Sequence, residues 1–377
     1  MSEQHQQARQ TTQRERASEE FDDAQDAAPD ELSELPKEGW KGTLKRTVSE
    51  FSADGGTDIA AALTYYGVLS MFPMLIAFIS VIGLFGDAER TVNKLLDMLD
   101  QMGAGKQLEA VRPVIEQLAG SQAAGLAFVL GLAGALWAAS NYVNAFSRAM
   151  NRIYEIEEGR PVWKLRPWLL LLTVVILVLI VLVALSLVLS GSVSEVIFGA
   201  LGLSGAFNTV WNIAKWPVMF LVVVVIVALL YWGTPNVRPA SFRWVSPGAV
   251  IAIVVWAVAS AGFGFYVSRF GSYNETYGTL AGVIVLLLWL WLTNVALVFG
   301  AEFDAELERS RELAAGMPAE ETILLPPRDA KGARKKAEKN AELVREAREL
   351  RMRSAEELRQ KGEEPGLPGR GRDADRP

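Results

Sequence analysis

Apolar and polar positions along this chain separate into long blocks. The clearest block runs from Thr279 to Ala301 without a charged residue, with Tyr277 before it and Glu302 and Asp304 after it. An α-helix needs roughly 20 apolar residues to cross a hydrocarbon core of about 30 Å, so this block predicts a membrane span ending in an acidic collar. Five other uncharged blocks read the same way: Ile59 to Phe85, Ala123 to Ser147, Pro167 to Ser190, Trp216 to Trp232 and Trp244 to Ser268. The expected fold is all-α, a polytopic membrane protein with a six-transmembrane-helix bundle over 59–305. Pro73, in the middle of the first span, removes a helical hydrogen bond and predicts a kink. Gly125, Gly131 and Gly134 in the second span, and Gly248, Gly262 and Gly264 in the fifth, suit close helix packing.

The segments between the blocks have their own patterns. Residues 1–36 are polar and acidic and predict a disordered tail, with no apolar stretch of the kind a signal peptide needs. Over 37–58, Trp40, Leu44, Val48 and Phe51 fall on one helical face and Lys37, Lys41, Lys45 and Arg46 elsewhere. That is the pattern of a basic amphipathic helix on an anionic leaflet, or of a plain juxtamembrane connector. Leucines at helical spacing over 87–122, interrupted by Gly103 and Gly105, predict an extracytoplasmic helical hairpin. The Gly-rich stretch 191–212 reads as a re-entrant or interfacial piece. Residues 306–377 read as a charged cytoplasmic segment, with a helix over 328–361 and a disordered end from Gly362. Lys and Arg concentrate in alternate loops, as at Arg148 to Arg166 and at Arg238 and Arg243, which places both termini in the cytoplasm.

Composition narrows the chemistry. Half of the residues (51%) are hydrophobic and the mean hydropathy is +0.21, although 21% are charged, so the charges are concentrated outside the blocks. There is no Cys, and the one His is His5 in the polar tail. Thiolate chemistry is excluded, and the helical region has no imidazole for acid–base work or metal ligation. No phosphate-binding or dinucleotide fingerprint is present. The acids near the membrane flank helix ends beside cations. The expectation is a protein that is not an enzyme, with no cofactor, no metal and no nucleic-acid partner.

The polar residues within the blocks are the candidate site. Asn141, Asn144, Arg148, Asn151 and Glu155 follow one another at spacings of 3, 4, 3 and 4, which puts them on one helical stripe. Tyr65 and Tyr66, with Thr64 and Ser70, make the first half of span one polar. Asn294 interrupts the last span and Glu302 closes it. With the expected topology these groups share a depth near the cytoplasmic side. Two arrangements satisfy them: a water-filled vestibule forming a substrate path, or interhelical hydrogen bonds in a packed bundle. Arg148 and Glu302, each the first charge after an uncharged span, are candidates for a gating ion pair.

Four stretches together resemble the YihY/BrkB family of bacterial inner-membrane proteins, once labelled ribonuclease BN. They are AAALTYYGVLSMFPML at 60–75, NRIYEIEEGRPVWKLRP at 151–167, YWGTPNVRPASFRWVSPGAV at 231–250, and YGTLAGVIVLLLWLWL with GAEFDAEL near the end. The resemblance covers roughly 40–309 and leaves out both tails. It implies a six-helix integral protein of the inner membrane, and links to envelope or serum resistance and to transport. The function expected is therefore a transporter or exporter of a small polar solute or lipid headgroup. The alternative is a non-transporting envelope scaffold that recruits partners through its cytoplasmic tails.

Overall fold

The computed structural model describes residues 9–14, 37–84, 126–188, 194, 205–238, 246–269 and 279–362. The hairpin expected over 87–122 lies outside the described residues, as do 191–193 and 195–204 of the Gly-rich stretch. Eight long helices follow in chain order: α1 Lys37–Ala53, α2 Gly56–Leu84, α3 Leu126–Ile153, α4 Val162–Val188, α5 Gly205–Gly233, α6 Pro247–Arg269, α7 Thr279–Ala314 and α8 Lys331–Gln360. Among the described residues the one strand-like contact is a single antiparallel bridge between Val237 and Pro327.

Four of these helices, α4 to α7, are long and apolar enough to cross a membrane. They also carry lipid-compatible surfaces, with Leu171, Val178, Phe220, Val254, Val258 and Leu288 exposed. Helices α2 and α3, of 29 and 28 residues, pack along each other and against α7. Pro73 falls inside α2, but the side chains of that half lie outside the described set.

The helix boundaries differ from the sequence expectations in two places. Helix α5 begins at Gly205, so the end of the supposed re-entrant piece is the first two turns of a membrane helix. Helix α7 does not stop at the acidic collar. It runs on through Glu302, Glu306 and Arg309 to Ala314, and its 36 residues span about 54 Å at 1.5 Å per residue. The extension is possible because its charged residues meet partners on other elements.

Those partners form a polar layer across one end of the bundle. It contains α1, the α3–α4 loop at 154–161, the α5–α6 loop at 234–238, the end of α7, and a strap at 315–330 that leads into α8. The strap is sewn to the loops through backbone groups. Arg328 N donates to Asn236 O at 2.8 Å, Arg238 N to Pro326 O at 2.8 Å and Gly332 N to Gly159 O at 2.8 Å. Gly159 has no alternative there, since a Cβ would sit 1.9 Å from Asp329 O. At the entry to the membrane, α6 and α7 touch backbone to backbone. A Cβ on Gly248 would lie 2.1 Å from Gly300 O, and one on Gly300 would lie 2.4 Å from Gly248 O.

The tail assigned to disorder contains an ordered piece. Residues 9–14 form a helical turn against the layer. Arg14 donates to Thr322 Oγ1 at 2.9 Å, and Thr11 Oγ1 accepts from Glu157 N at 3.0 Å. Arg14 and Thr11 are both buried.

Candidate functional site

The expected polar residues divide into three environments. The first is a hydrogen-bonded knot inside the bundle. Asn294 is buried and its Oδ1 accepts from Tyr142 OH at 2.8 Å. Its Nδ2 donates to Thr64 Oγ1 at 3.1 Å and to Leu290 O at 3.0 Å, and the Thr64 hydroxyl donates in turn to Ala60 O at 2.8 Å. Here α2, α3 and α7 are joined by direct interhelical bonds, the second of the two arrangements that would satisfy these groups. Tyr142 took no part in the sequence argument, although it is adjacent to Asn141.

The second environment is the outer edge of α2 and α3. Tyr65 is 62% exposed and lies edge-on to Tyr66. Arg148 is exposed, with its guanidinium 5.7 Å from the centre of the Tyr66 ring. Asn144 is half-buried, and Asn141 accepts a long contact of 3.5 Å from Arg166. Glu302, by contrast, is 2% exposed. No ion pair joins Arg148 to Glu302, so the gating pair inferred from their matching depth is not formed. Equal depth does not fix rotation about the helix axis: Arg148 lies exposed over Tyr66 of α2, whereas Glu302 is buried.

The third environment is the polar layer, which also holds the lower end of the asparagine stripe. Asn151 Oδ1 accepts from Asn236 N at 2.7 Å, and Asn151 Nδ2 donates to Glu158 at 2.9 Å. Asn236 Nδ2 then reaches Glu157 O and Asp329 O at 3.1 and 2.9 Å, holding both loops and the strap. Arg328 donates to Val237 O and Trp232 O at 2.8 and 2.6 Å and stacks over the Trp232 ring. Burial and the nearby Arg160 lower its pKa to about 10.

Across the layer runs a chain of ion pairs that links four segments. Arg46 on α1 meets Glu306 at 2.9 Å, Glu306 meets Arg309 at 3.0 Å, Arg309 meets Glu155 at 2.9 Å and Glu155 meets Arg14 at 3.9 Å. Glu155 sits in the left-handed region with φ 50°, unusual for a residue with a side chain. Asp54, at the α1–α2 turn, pairs with Arg152 at 3.6 Å. Burial nonetheless pushes its pKa up to about 6, with Arg152 acting the other way.

A cleft of about 110 Å³ opens in this layer where α5 ends and α6 begins. Tyr154, Tyr231 and Trp232 supply aromatic walls, and Asp304, Glu308 and Arg311 supply charge. Asp304 accepts from Gly248 N at 2.6 Å and so caps α6, while Glu308 and Arg311 pair at 3.2 Å. Carboxylates beside a guanidinium and aromatic faces can receive an ammonium group and an anion side by side. Of the charged residues in this cleft, the sequence argument placed Asp304 in an acidic collar and left Glu308 and Arg311 within the charged segment 306–377. The i, i+4 spacing of Asp304 and Glu308 was the available signal.

Comparison with known proteins gives a consistent result. The family model described as Virulence factor BrkB matches residues 47–322. A Bacillus subtilis protein named "Putative ribonuclease-like protein YfkH" is 31% identical over 270 residues, which cover 72% of this chain and 96% of that protein. A UPF0761 membrane protein of Alkalilimnicola ehrlichii is 30% identical over 71% of this chain and 59% of its own length. One from Stenotrophomonas maltophilia is 28% identical over 67% of this chain and 57% of its own length. The chain thus spans less than two thirds of the length of these two UPF0761 relatives. No solved structure matches.

Proposed function

The chain belongs to the Virulence factor BrkB family of membrane proteins, and on that premise we propose that it is a transporter or exporter of a small polar solute or a lipid headgroup. In this reading α2 to α7 are six spans of the bacterial inner membrane and the polar layer faces the cytoplasm, with both termini on that side. The Lys and Arg of the layer support that orientation. The exposed Leu44 and Val48 of α1, flanked by exposed Lys41 and Lys45, would rest on anionic lipid. No enzymatic step belongs to the reading, and none is needed for passage of a solute.

The observation that carries it is the cleft. It has both signs of charge and aromatic walls, and it lies at the level where α5 and α6 leave the apolar region. A solute with an ammonium group, alone or beside an anion, fits that set of groups. The test is flux into liposomes reconstituted with the full chain, using a panel of amines, zwitterions and labelled phospholipids. Flux of one class above protein-free liposomes is expected, with a fall when Ser246→Trp fills the cleft in a protein that still folds. Absence of flux for every class from a monodisperse preparation would refute transport.

The scaffold reading has one observation in its favour. Helix α8 is exposed along nearly all its length, including Leu343, Val344, Leu350 and Met352. Deletion of α8 with retained flux but lost cellular phenotype would favour it.

A further inference from the structure

Glu302 is the unbalanced charge of the polar layer. Its side chain is 2% exposed, and its Oε2 is buried without a hydrogen-bond partner. The charged groups that act on it are Asp54 from the α1–α2 turn, Glu306 from its own helix, Glu50 from α1 and Glu155 from the end of α3. All four are acids. The nearby Tyr154 phenol is also influenced by Glu302 and adds no positive charge.

The cations of the layer are already engaged. Arg152 pairs with Asp54, Arg46 with Glu306, Arg309 with both Glu306 and Glu155, and Arg14 with Glu155. Arg148, the cation the sequence offered to Glu302, lies over Tyr66 instead. A buried carboxylate with no countercharge and an orphaned oxygen is strongly disfavoured. Something positive must neutralise it. Among the described residues no three acidic side chains converge closely enough to hold a metal ion. One proton requires no such ligand set.

We propose that the Glu302 carboxyl is a proton-binding site: it carries one proton in the folded protein and exchanges it with water by way of Asp54. Asp54 is the acid that acts on Glu302 most strongly, and it keeps 24% of its own side chain exposed. On release, the O–H bond of Glu302 breaks, the proton passes to the Asp54 carboxylate and then to water, and a negative charge remains among four acids. That state is the costly one. The inference stands on burial and charge and does not require the transport reading.

The test compares the full chain with Glu302→Gln in detergent or nanodiscs. Gln keeps the shape of the protonated acid, so the variant should fold and match the native melting temperature at about pH 4, where the acid is protonated in both the folded and the unfolded chain. Between about pH 4 and about pH 9 the native protein should progressively lose stability that the variant keeps, because the unfolded acid ionises near its ordinary value while the buried one still holds its proton. Infrared spectra near neutral pH should show a protonated-carboxyl band in the native protein that Glu302→Gln lacks. Asp54→Asn, which removes a like charge acting on Glu302, should lower the pH at which the folded protein loses that carboxyl band and shrink the total loss of stability. Three results would overturn the proposal. One is a Glu302→Gln protein equally destabilised at every pH. Another is no difference in the carboxyl band. The third is stabilisation of the native protein alone by added sodium or calcium at constant ionic strength, which would assign the site to a metal cation.

Discussion

Replacing Arg309 by Met tests whether the polar layer is held together by its ion pairs or only by the apolar packing beneath it. The Arg309 side chain is 5% exposed and meets Glu306 at 3.0 Å and Glu155 at 2.9 Å. Without it Glu306, itself 1% exposed, keeps Arg46, and Glu155 keeps only the longer contact with Arg14 at 3.9 Å. Breaking a buried pair by removing one partner costs about 3–5 kcal/mol. Because each carboxylate retains a second cation, the expected loss here is nearer to about 2 kcal/mol. Met preserves much of the side-chain volume, so the change is mainly one of charge. The chain has 11 Trp residues, and their fluorescence can follow unfolding in detergent. The melting temperature should fall by about 4–8 °C, taking about 2–4 °C per kcal/mol for a domain of a few hundred residues. Adding Glu306→Gln to Arg309→Met should recover part of the loss, since the stranded charge is then gone. A single variant within about 1 °C of the native protein, or a double variant no better than the single, would refute the argument.

Two further outcomes follow from geometry already described. Gly300→Val places a Cβ branch against the α6 backbone, where a Cβ alone would lie 2.4 Å from Gly248 O. It should cost about 1–3 kcal/mol or more through separation of α6 from α7, seen as lower yield of monodisperse protein, and an unaffected variant would mean the helices do not cross there. Asp54, with its pKa pushed up to about 6 by burial, binds its proton more tightly folded than unfolded. Its contribution to stability is present below the ordinary carboxylate range near pH 4 and is lost as pH rises through about 6. Asp54→Asn should therefore exceed the native protein in stability by about 1–2 kcal/mol near pH 8 and lose that advantage below about pH 5. Melting curves across pH that run parallel for the two proteins would contradict the burial assigned to it.

The membrane helices were legible because hydrocarbon admits little besides uncharged runs of sufficient length. Every block that predicted a span lies largely within a helix where it is described. The layer was not legible in the same way. Glu306 and Arg309 read as the point where the chain leaves the membrane, whereas they are the points where it is gripped. Their partners are far away in sequence: Arg46 is 260 residues from Glu306, and Glu155 is 154 residues from Arg309. No local periodicity encodes such a pairing. The asparagine stripe shows the complementary difficulty. Its spacing was correct, but one stripe meets two surroundings along its length. Asn151 and Glu155 enter the layer, whereas Asn141, Asn144 and Arg148 lie along the outer edge of α2 and α3. A helical face has a direction at each level only once its neighbours are known.

The joint between the strap and the loops explains how a charged C-terminal segment can be ordered without an apolar core of its own. Its contacts run through main-chain groups, which leave almost no trace in residue type. The traces that remain are Gly159, which lets Asp329 O approach, and Asn236, whose one amide bonds Glu157 O and Asp329 O together. Ile323 and Leu325 add buried apolar contact to the main core. Helix α8 begins two residues after Asp329, and Lys336 pairs with Glu157 on the same loop. Its direction is therefore set by the layer and not by a flexible hinge. The segments that set it also supply Tyr154, Pro235, Val237 and Leu325 to the cleft. The cleft and the base of α8 thus share a wall, and a change of position in either must be accommodated by the other.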